Sequence, residues 1–189
     1  MKNLYVTGYK PHELNIFNSN DKRILFIKES IKRRITQLVE EYDVMWVIIS
    51  GQAGVELWAA EVVLSLKAEY GLKLAVVPPF QNQEVRWKEE QQSLYHSIIE
   101  QADFFQPLMN KAYEGPMQFK RKDQWVIDKT DGCLVVFDEE NGGSPTFFLR
   151  EVEKKNKKDY QVFYITAFDL EDTVREMEMN EMDVHNGYL

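Results

Sequence analysis

Three glycine-containing loops carry the residues best suited to hold an anion. Glycines let a phosphate or sugar approach the backbone, and a helix that starts after such a loop offers free N–H groups and a positive dipole end. The loops are Gly8-Tyr9-Lys10-Pro11, Ser50-Gly51-Gln52-Ala53-Gly54 and the segment from Asp138 to Ser144. The predicted ligand contacts on them are Gly8, Tyr9, Lys10, Ser50, Gly51, Gln52, Gly54, Asp138, Gly142, Gly143 and Ser144.

The loop from Gly51 to Gly54 has the strongest pattern, although it is neither a Walker loop nor a full dinucleotide fingerprint. A tight strand-to-helix turn without a ligand is the alternative interpretation. Glu56 follows the loop and either stabilises the helix dipole or accepts hydrogen bonds from ribose hydroxyls. Trp58 either packs in the core, which its helical spacing favours, or stacks on a base.

The basic segment Lys120-Arg121-Lys122 and the turn at Ser144 also have two interpretations each. The basic segment forms a solvated face or places one cation, Lys122, over the ligand. Ser144 and Pro145 fit the N-cap and first position of a helix, which explains both residues without a ligand.

No metal site and no nucleophilic triad can be recognised. The histidines, His12, His96 and His185, fall in different elements, and Cys133 lies within a predicted strand without a local partner. Ser50 lacks the glycine arrangement of a hydrolase nucleophile elbow.

Short β-branched and aromatic runs alternate with segments of helical periodicity, which is typical of a parallel sheet with crossover helices. Strands are predicted at 4–7, 45–50, 72–77, 133–137 and 160–166, and the ambiguous segment 102–109 contains a candidate strand at Phe104-Phe105. Helices are predicted at 22–42, after Gly54, at 84–100, at 116–129 and after Pro145. We expect an α/β fold, a Rossmann-like three-layer sandwich with a mostly parallel central sheet. It forms a single domain over 1–189, with 171–189 as a peripheral C-terminal helix or tail.

The 189-residue chain has 23 Lys and Arg against 31 Asp and Glu, for a net charge of -8, which argues against nucleic acid as a partner. Its one cysteine excludes an intramolecular disulfide and favours a reducing compartment. The longest apolar run, 44–49, is far below the roughly 20 residues of a membrane-spanning helix. No secretory signal is visible. We therefore expect a cytoplasmic protein without membrane insertion.

Several longer motifs, in order along nearly the whole chain, resemble the YpsA family of the SLOG superfamily, whose relatives include DprA (Smf) and the Lonely Guy enzymes. They are Thr7-Gly8-Tyr9-Lys10-Pro11, Ile49-Ser50-Gly51-Gln52, Gly54-Val55-Glu56-Leu57-Trp58-Ala59-Ala60-Glu61, Pro79-Phe80, Gln83-Glu84, Trp87-Lys88-Glu89, Gln118-Phe119-Lys120, Ile127-Asp128-Lys129, Asp131-Gly132 and Gly143-Ser144-Pro145.

This resemblance implies a Rossmann-like fold and a regulatory, non-catalytic protein that binds a nucleotide-type ligand such as ADP-ribose or an NAD-derived molecule. It also implies a possible protein partner in cell division. Gly51, Gly54, Glu56 and Trp58 become the leading ligand candidates. A homo-oligomer is compatible with the sequence.

Two alternatives follow from the same superfamily. Lonely Guy enzymes hydrolyse cytokinin nucleotides with a glutamate after their glycine loop, where this chain has Phe148, and Arg121-Lys122 only roughly matches their basic pair. A nucleotide N-glycosidase would therefore need another acid, for which Glu56 is the candidate. The other alternative is single-stranded DNA binding, as in DprA, which the acidic composition disfavours.

The binding hypothesis depends on one geometric expectation. The backbone amides of the Gly51 to Gly54 loop should converge with those near Gly143 on a single concave rim that is open to a sugar phosphate.

Overall fold

The computed structural model describes residues 1–186. The strands are β1 (Asn3–Thr7), β2 (Trp46–Ile49), β3 (Lys73–Val76), β4 (Phe104–Phe105), β5 (Gly132–Val136) and β6 (Gln161–Ile165). The helices are α1 (Lys22–Tyr42), α2 (Val55–Tyr70), α3 (Glu89–Gln101), α4 (Met117–Lys129), α5 (Pro145–Lys155) and α6 (Ala167–Asn186), and a 3-10 turn spans Pro11–Leu14.

All six strands form one parallel sheet in the order β4-β3-β2-β1-β5-β6. The central strand β1 pairs on one side with β2, where Leu4 lies opposite Val47, and on the other with β5, where Tyr5 lies opposite Cys133. From β1 the chain winds outward to β2, β3 and β4, and from β5 it winds outward to β6 in the other direction. The carboxyl ends of β1 and β5 therefore meet at the topological switch point of the sheet.

Alternating side chains of the strands build a core on each face of the sheet. Leu4 and Val6 pack with apolar residues of α1, α2 and α3 on one face. Tyr5 and Cys133 point to the other face and pack with residues of α4 and α5. The result is a helix–sheet–helix sandwich in which α4 and α5 alone cover the second face among the described residues.

The predicted Rossmann-like α/β class is confirmed, and the sheet is entirely parallel. The helix predicted at 84–100 begins later, at Glu89, because residues 81–87 form turns in which Asn82 has a φ of 57°. Phe104-Phe105 does form a strand, at the edge beside β3.

The C-terminal helix begins at Ala167, before the predicted position 171. The Asp169 carboxylate accepts a hydrogen bond from the Thr166 amide at 2.6 Å and so caps the start of α6. The helix lies along α1, where the Ser30 hydroxyl donates to Thr173 Oγ1 at 2.7 Å. Residues 187–189, the last part of the predicted C-terminal helix or tail, lie outside the described residues. No helix in residues 1–186 is both long and apolar enough to span a bilayer.

Candidate functional site

A pocket of about 460 Å³ opens where the carboxyl ends of β1 and β5 meet. Ligands of open α/β sheets bind at this switch point, and the volume lies in the range of about 300–1,000 Å³ that is usual for small-molecule sites. Thr7 at the end of β1 contributes to its floor. Five of the predicted site residues border it: Gly8, Lys10, Gln52, Lys122 and Ser144.

The side walls of the pocket come from facing surfaces of α4 and α5. Residues three and four positions apart share one face of a helix, and the pocket residues follow this spacing: Pro116, Phe119, Lys120 and Asp123 on or next to α4, and Ser144, Phe147, Phe148, Glu151 and Lys154 on or next to α5. Phe119 packs against Phe80 and Tyr113, with ring centroids 5.5 and 5.9 Å away. Phe147 keeps 68% of its surface exposed.

The pocket carries more positive than negative charge. Its cations are Lys10, Lys120, Lys122, Arg150 and Lys154, and its carboxylates are Asp123 and Glu151. Lys122 pairs with Asp123 and Lys154 with Glu151. Within the described residues, no carboxylate lies at ion-pair distance from Lys10, Lys120 or Arg150. The pocket therefore offers unpaired positive charge, although the chain as a whole is acidic.

The amide groups of the predicted anion loop are occupied by a side chain of the protein itself. The Glu56 carboxylate accepts hydrogen bonds from the Ser50 amide at 2.8 Å, the Ser50 hydroxyl at 2.7 Å and the Gln52 amide at 3.2 Å. Its other oxygen accepts from the Tyr5 hydroxyl at 3.0 Å and the Thr7 hydroxyl at 2.8 Å. Glu56 is 2% exposed and does not border the pocket, so it acts as an internal anion that joins β1, β2 and α2.

The glycines of this loop are required by close contacts within the protein. A Cβ atom on Gly51 would lie 2.9 Å from the Tyr95 ring, and one on Gly54 would lie 2.5 Å from the Tyr9 carbonyl oxygen. Both glycines have positive φ angles, 75° and 99°. The Val55 amide, at the start of α2, donates to the Tyr9 carbonyl at 3.1 Å.

A second internal carboxylate occupies the start of α5. Glu13, on the 3-10 turn, accepts hydrogen bonds from the Ser144 amide and hydroxyl, both at 2.7 Å, and from the Lys10 amide at 2.8 Å. Burial alone would raise the pKa of Glu13, but these hydrogen bonds lower it overall. Ser144 and Pro145 hold the N-cap and first helical positions as predicted. The Ser144 side chain makes no capping hydrogen bond, because its hydroxyl donates to Glu13.

The expected open rim between the two glycine loops is also wrong, because Tyr9 lies between them. Its carbonyl contacts Gly54, and a Cβ on Gly143 would lie 2.8 Å from its ring. The Tyr9 hydroxyl donates to the Asp138 carbonyl at 3.1 Å and accepts from the Asp138 amide at 2.9 Å. The two loops do lie at the same edge of the sheet, but the pocket opens beside them, between α4 and α5.

Lys122 and Asp123 form a buried ion pair at the pocket, with 8% and 7% of their surfaces exposed. The Lys122 ammonium also donates to the Tyr5 hydroxyl at 3.1 Å, so it is connected through Tyr5 to Glu56. Burial alone would lower the pKa of Lys122, but its contacts with Tyr5, Asp123 and Glu56 raise it, so the ammonium stays charged. Burial raises the pKa of Asp123, and the neighbouring Lys122 only partly offsets this effect.

The remaining predicted residues lie away from the pocket. Trp58 is 6% exposed and belongs to the core on the face of the sheet that α1, α2 and α3 cover. Asp138 stabilises its own turn by accepting a hydrogen bond from the Glu140 amide at 3.0 Å. Gly142, with a φ of 60°, belongs to the same turn.

The groups considered for catalysis are also placed in the protein interior or outside the pocket. Phe148 is buried with its ring 5.0 Å from that of Tyr5, and burial raises the pKa of the Cys133 thiol to about 12. Arg121 does not border the pocket, although its neighbour Lys122 does. In residues 1–186 no three or more His, Cys, Asp or Glu side chains form a group that could hold a metal ion.

The sequence interpretation missed several pocket residues, namely Phe119, Asp123, Phe147, Arg150 and Lys154. It also missed Glu13, which does not border the pocket but binds the pocket residue Ser144. The helical spacing that places Phe119 with Asp123, and Phe147 with Glu151, was visible in the sequence. What was missing was the knowledge that these two helix faces oppose each other, which only the packing of α4 against α5 provides.

The all-parallel sheet and the pocket at its switch point define a Rossmann-like α/β protein with a small-molecule-sized site. A family model named YpsA, described as "YspA SLOG family", matches residues 4–170, and the chain belongs to this family. It is 51% identical over 181 residues to a UPF0398 protein of Oceanobacillus iheyensis, covering 96% of this chain and 97% of that protein. It is 47% identical over 178 residues to the UPF0398 protein YpsA of Bacillus subtilis, covering 93% and 98%.

Proposed function

We propose that the pocket between α4 and α5 binds a nucleotide-type anion, such as ADP-ribose or an NAD-derived molecule, and that the protein is a non-catalytic regulator. The observation that carries this proposal is the combination of three unpaired cations, Lys10, Lys120 and Arg150, with two accessible phenylalanines around one pocket. Cations attract the phosphates of a nucleotide, and aromatic rings stack on its base.

The non-catalytic part of the proposal is supported by the position of Glu56, the candidate acid. An acid that assists glycosidic cleavage must reach the leaving group. Glu56 is enclosed by five hydrogen bonds and does not border the pocket, and Phe148 stands where the Lonely Guy enzymes have their glutamate. Ligand occupancy would then act through the surface of α4 and α5 on a protein partner, which the family resemblance connects with cell division.

Isothermal calorimetry with ADP-ribose, ADP and NAD, with adenosine as the ligand lacking phosphate, tests the binding. We expect binding of at least one phosphorylated ligand that is tighter than that of adenosine and weakens with added salt, because exposed charges are screened. A ligand at a hundredfold excess over its Kd should also stabilise the protein by about 2.7 kcal/mol.

Two pairs of variants assign the binding to this pocket. The double variant Lys120→Ala/Arg150→Ala should weaken binding at least about tenfold, because charge-assisted contacts to phosphate are lost, whereas Lys32→Ala on α1 should not change it. Phe147→Ala should weaken binding about five- to a hundredfold if the ring stacks on a base, with the exposed Phe168→Ala on α6 as the control. Absence of binding by every phosphorylated ligand, or unchanged binding in both pocket variants, would overturn the proposal.

A further inference from the structure

The outer edge of β6 carries open backbone groups. β6 lies at one end of the sheet, and β5 is its partner among the described strands. The Gln161 amide donates to a carbonyl, and the Ile165 carbonyl accepts from an amide, of residues that flank β5. Backbone groups alternate between the two sides of a strand, so those of Val162 and Tyr164 point away from β5.

This open part of the edge has defined ends. The Tyr160 amide before it and the Thr166 amide after it are bonded within the chain, at 3.2 and 2.6 Å. The Thr166 carbonyl accepts a hydrogen bond from the first turn of α6 at 3.2 Å. In the part of the chain that the structure describes, no second strand and no side chain bonds to the outward groups of Val162 and Tyr164. These two residues therefore need water or another strand as a partner.

β6 also lacks the features that usually protect an edge strand. Edge strands of soluble proteins are commonly very short, or they carry charges, prolines or bulges that prevent pairing with another chain. The opposite edge of this sheet follows the rule, because β4 has two residues. β6 has five, and no residue in 160–168 is charged, although 29% of the chain is. Tyr164 keeps 40% of its surface exposed and Phe168 keeps 78%.

We infer that this edge pairs with the same edge of a second copy of the chain, antiparallel and centred on Phe163. In this register Val162 of one copy lies opposite Tyr164 of the other, and the two residues exchange their outward hydrogen bonds. The two-fold axis of such a dimer interchanges Val162 and Tyr164. One copy therefore supplies the donors and acceptors that the other copy needs.

The side chains fit the same register. Phe163 meets its own copy at the type of position where side chains of antiparallel strands come closest, and aromatic pairs there are favourable. Its ring is already positioned by Tyr42, at 5.4 Å, and by the Arg34 guanidinium, at 5.7 Å. On the other face Val162 meets Tyr164, which is a favourable pair of a β-branched and an aromatic residue. Because the paired segments are uncharged, two identical copies meet without like charges opposite each other.

Sedimentation of the full chain without ligand, over a range of protein concentrations, tests the association. We expect a monomer–dimer equilibrium that shifts towards the dimer between about 0.1 M and about 1 M salt, because salt screens the repulsion between copies of net charge -8. Tyr164→Pro removes the outward amide but no hydrogen bond to β5. It should raise the dimer Kd at least about tenfold, because each copy loses a hydrogen bond. Tyr164→Thr keeps the amide and, as the matched control, should still dimerise.

Disulfide formation tests the register. Phe163→Cys brings two thiols opposite each other, within the Cα separation of about 4.4–6.8 Å that a disulfide requires, so a mild oxidant should link the dimer covalently. Gln161→Cys changes a residue on the same face of the same strand, but it lies more than about 10 Å from its copy. It should stay unlinked. The natural Cys133 is buried and should not react.

Circular dichroism and urea unfolding check that each variant is folded, and Tyr164→Lys provides a second disruptive variant, because a lysine protects an edge strand. A wild-type protein that is monomeric at every concentration and salt overturns the inference, and the edge is then left to water or to a strand of another protein. A dimer that neither Tyr164→Pro nor Tyr164→Lys weakens, or equal linking of Gln161→Cys and Phe163→Cys, overturns it as well.

Discussion

The Glu13 carboxylate accepts hydrogen bonds from both the amide and the hydroxyl of Ser144, a residue 131 positions later in the chain. The contact joins the 3-10 turn after β1 to the start of α5, and Ser144 itself borders the pocket. A side chain of the first turn therefore fixes the position of a helix that forms one wall of the site.

Replacing Glu13 by Gln should destabilise the protein by about 2 kcal/mol, because hydrogen bonds to a charged acceptor are lost and an amide donor faces the Lys10 and Ser144 donors. The measurement is urea unfolding at neutral pH. Glu139→Gln, at an exposed position of the loop before Ser144, is the control and should change the stability by less than about 0.5 kcal/mol. Equal stabilities of the two variants would contradict the structural role of Glu13.

The stabilisation by Glu13 should disappear in acid. Burial alone would raise the pKa of Glu13, but hydrogen bonds from Lys10 and Ser144 lower it below the ordinary 4.5 in the folded state. A lowered folded pKa means that the contribution is complete above the unfolded pKa and is lost as the pH falls through the folded pKa. The stability difference between wild type and Glu13→Gln should thus be constant from about pH 7 to about pH 5.5 and shrink below about pH 4.5.

That comparison is made by urea unfolding of both proteins across the pH series. The other carboxyl groups titrate in both proteins and largely cancel in the difference. A difference that grows as the pH falls would show that the sign assigned to the Glu13 pKa is wrong.

Gly143 and Gly142 should respond differently to alanine. Gly143 has a φ of 95°, and a Cβ there would lie 2.8 Å from the Tyr9 ring, whereas the nearest atom to a Cβ on Gly142 is 3.8 Å away. We expect Gly143→Ala to cost about 3 kcal/mol from strain and overpacking and Gly142→Ala only about 1 kcal/mol from its positive φ. Thermal and urea unfolding of the two variants test this expectation. A larger loss of stability in Gly142→Ala than in Gly143→Ala would contradict the packing of Tyr9 against Gly143.

Glu56→Gln should be among the more damaging single changes in α2. The Gln side chain would place an NH₂ group among five donors, so at least two buried hydrogen bonds are lost, and we expect a loss of about 3 kcal/mol or more. Glu61→Gln on the same helix breaks only the half-exposed pair with Lys28 and should cost less than about 1 kcal/mol. Urea unfolding and circular dichroism measure the stability and the helix content of both variants. A Glu56→Gln protein with wild-type stability would contradict the role of Glu56 as an internal anion.

The sequence was sufficient to predict where the glycine loops would lie, because loops that follow parallel strands meet at one edge of the sheet. It could not determine what the loop amides contact. Glu56 had two interpretations, dipole partner or ribose acceptor, and its real partners Tyr5, Thr7 and Ser50 are decided by the pairing of β1 with β2. The binding of Glu13 to Ser144 depends on an even longer separation along the chain, for which local patterns carry no signal.

The same reasoning explains which pocket residues could be predicted. Lys10 and Ser144 lie in loops beside glycines and were predicted from that context. Phe147 lies on one face of α5, where a phenylalanine is more often a core residue. Its 68% exposure is a property of the tertiary packing.

The order of the strands has a consequence for synthesis on the ribosome. β1 is made first, yet its second neighbour, β5, begins only at Gly132, after β2, β3 and β4 have been made. Until then the nascent chain presents one open edge of β1, and the face of the sheet that carries Tyr5 lacks its helices α4 and α5. Unpaired strand edges promote aggregation. Because α4 and α5 are also late elements, only a nearly finished polypeptide has the pocket, and ligand binding would stabilise finished chains over unfinished ones.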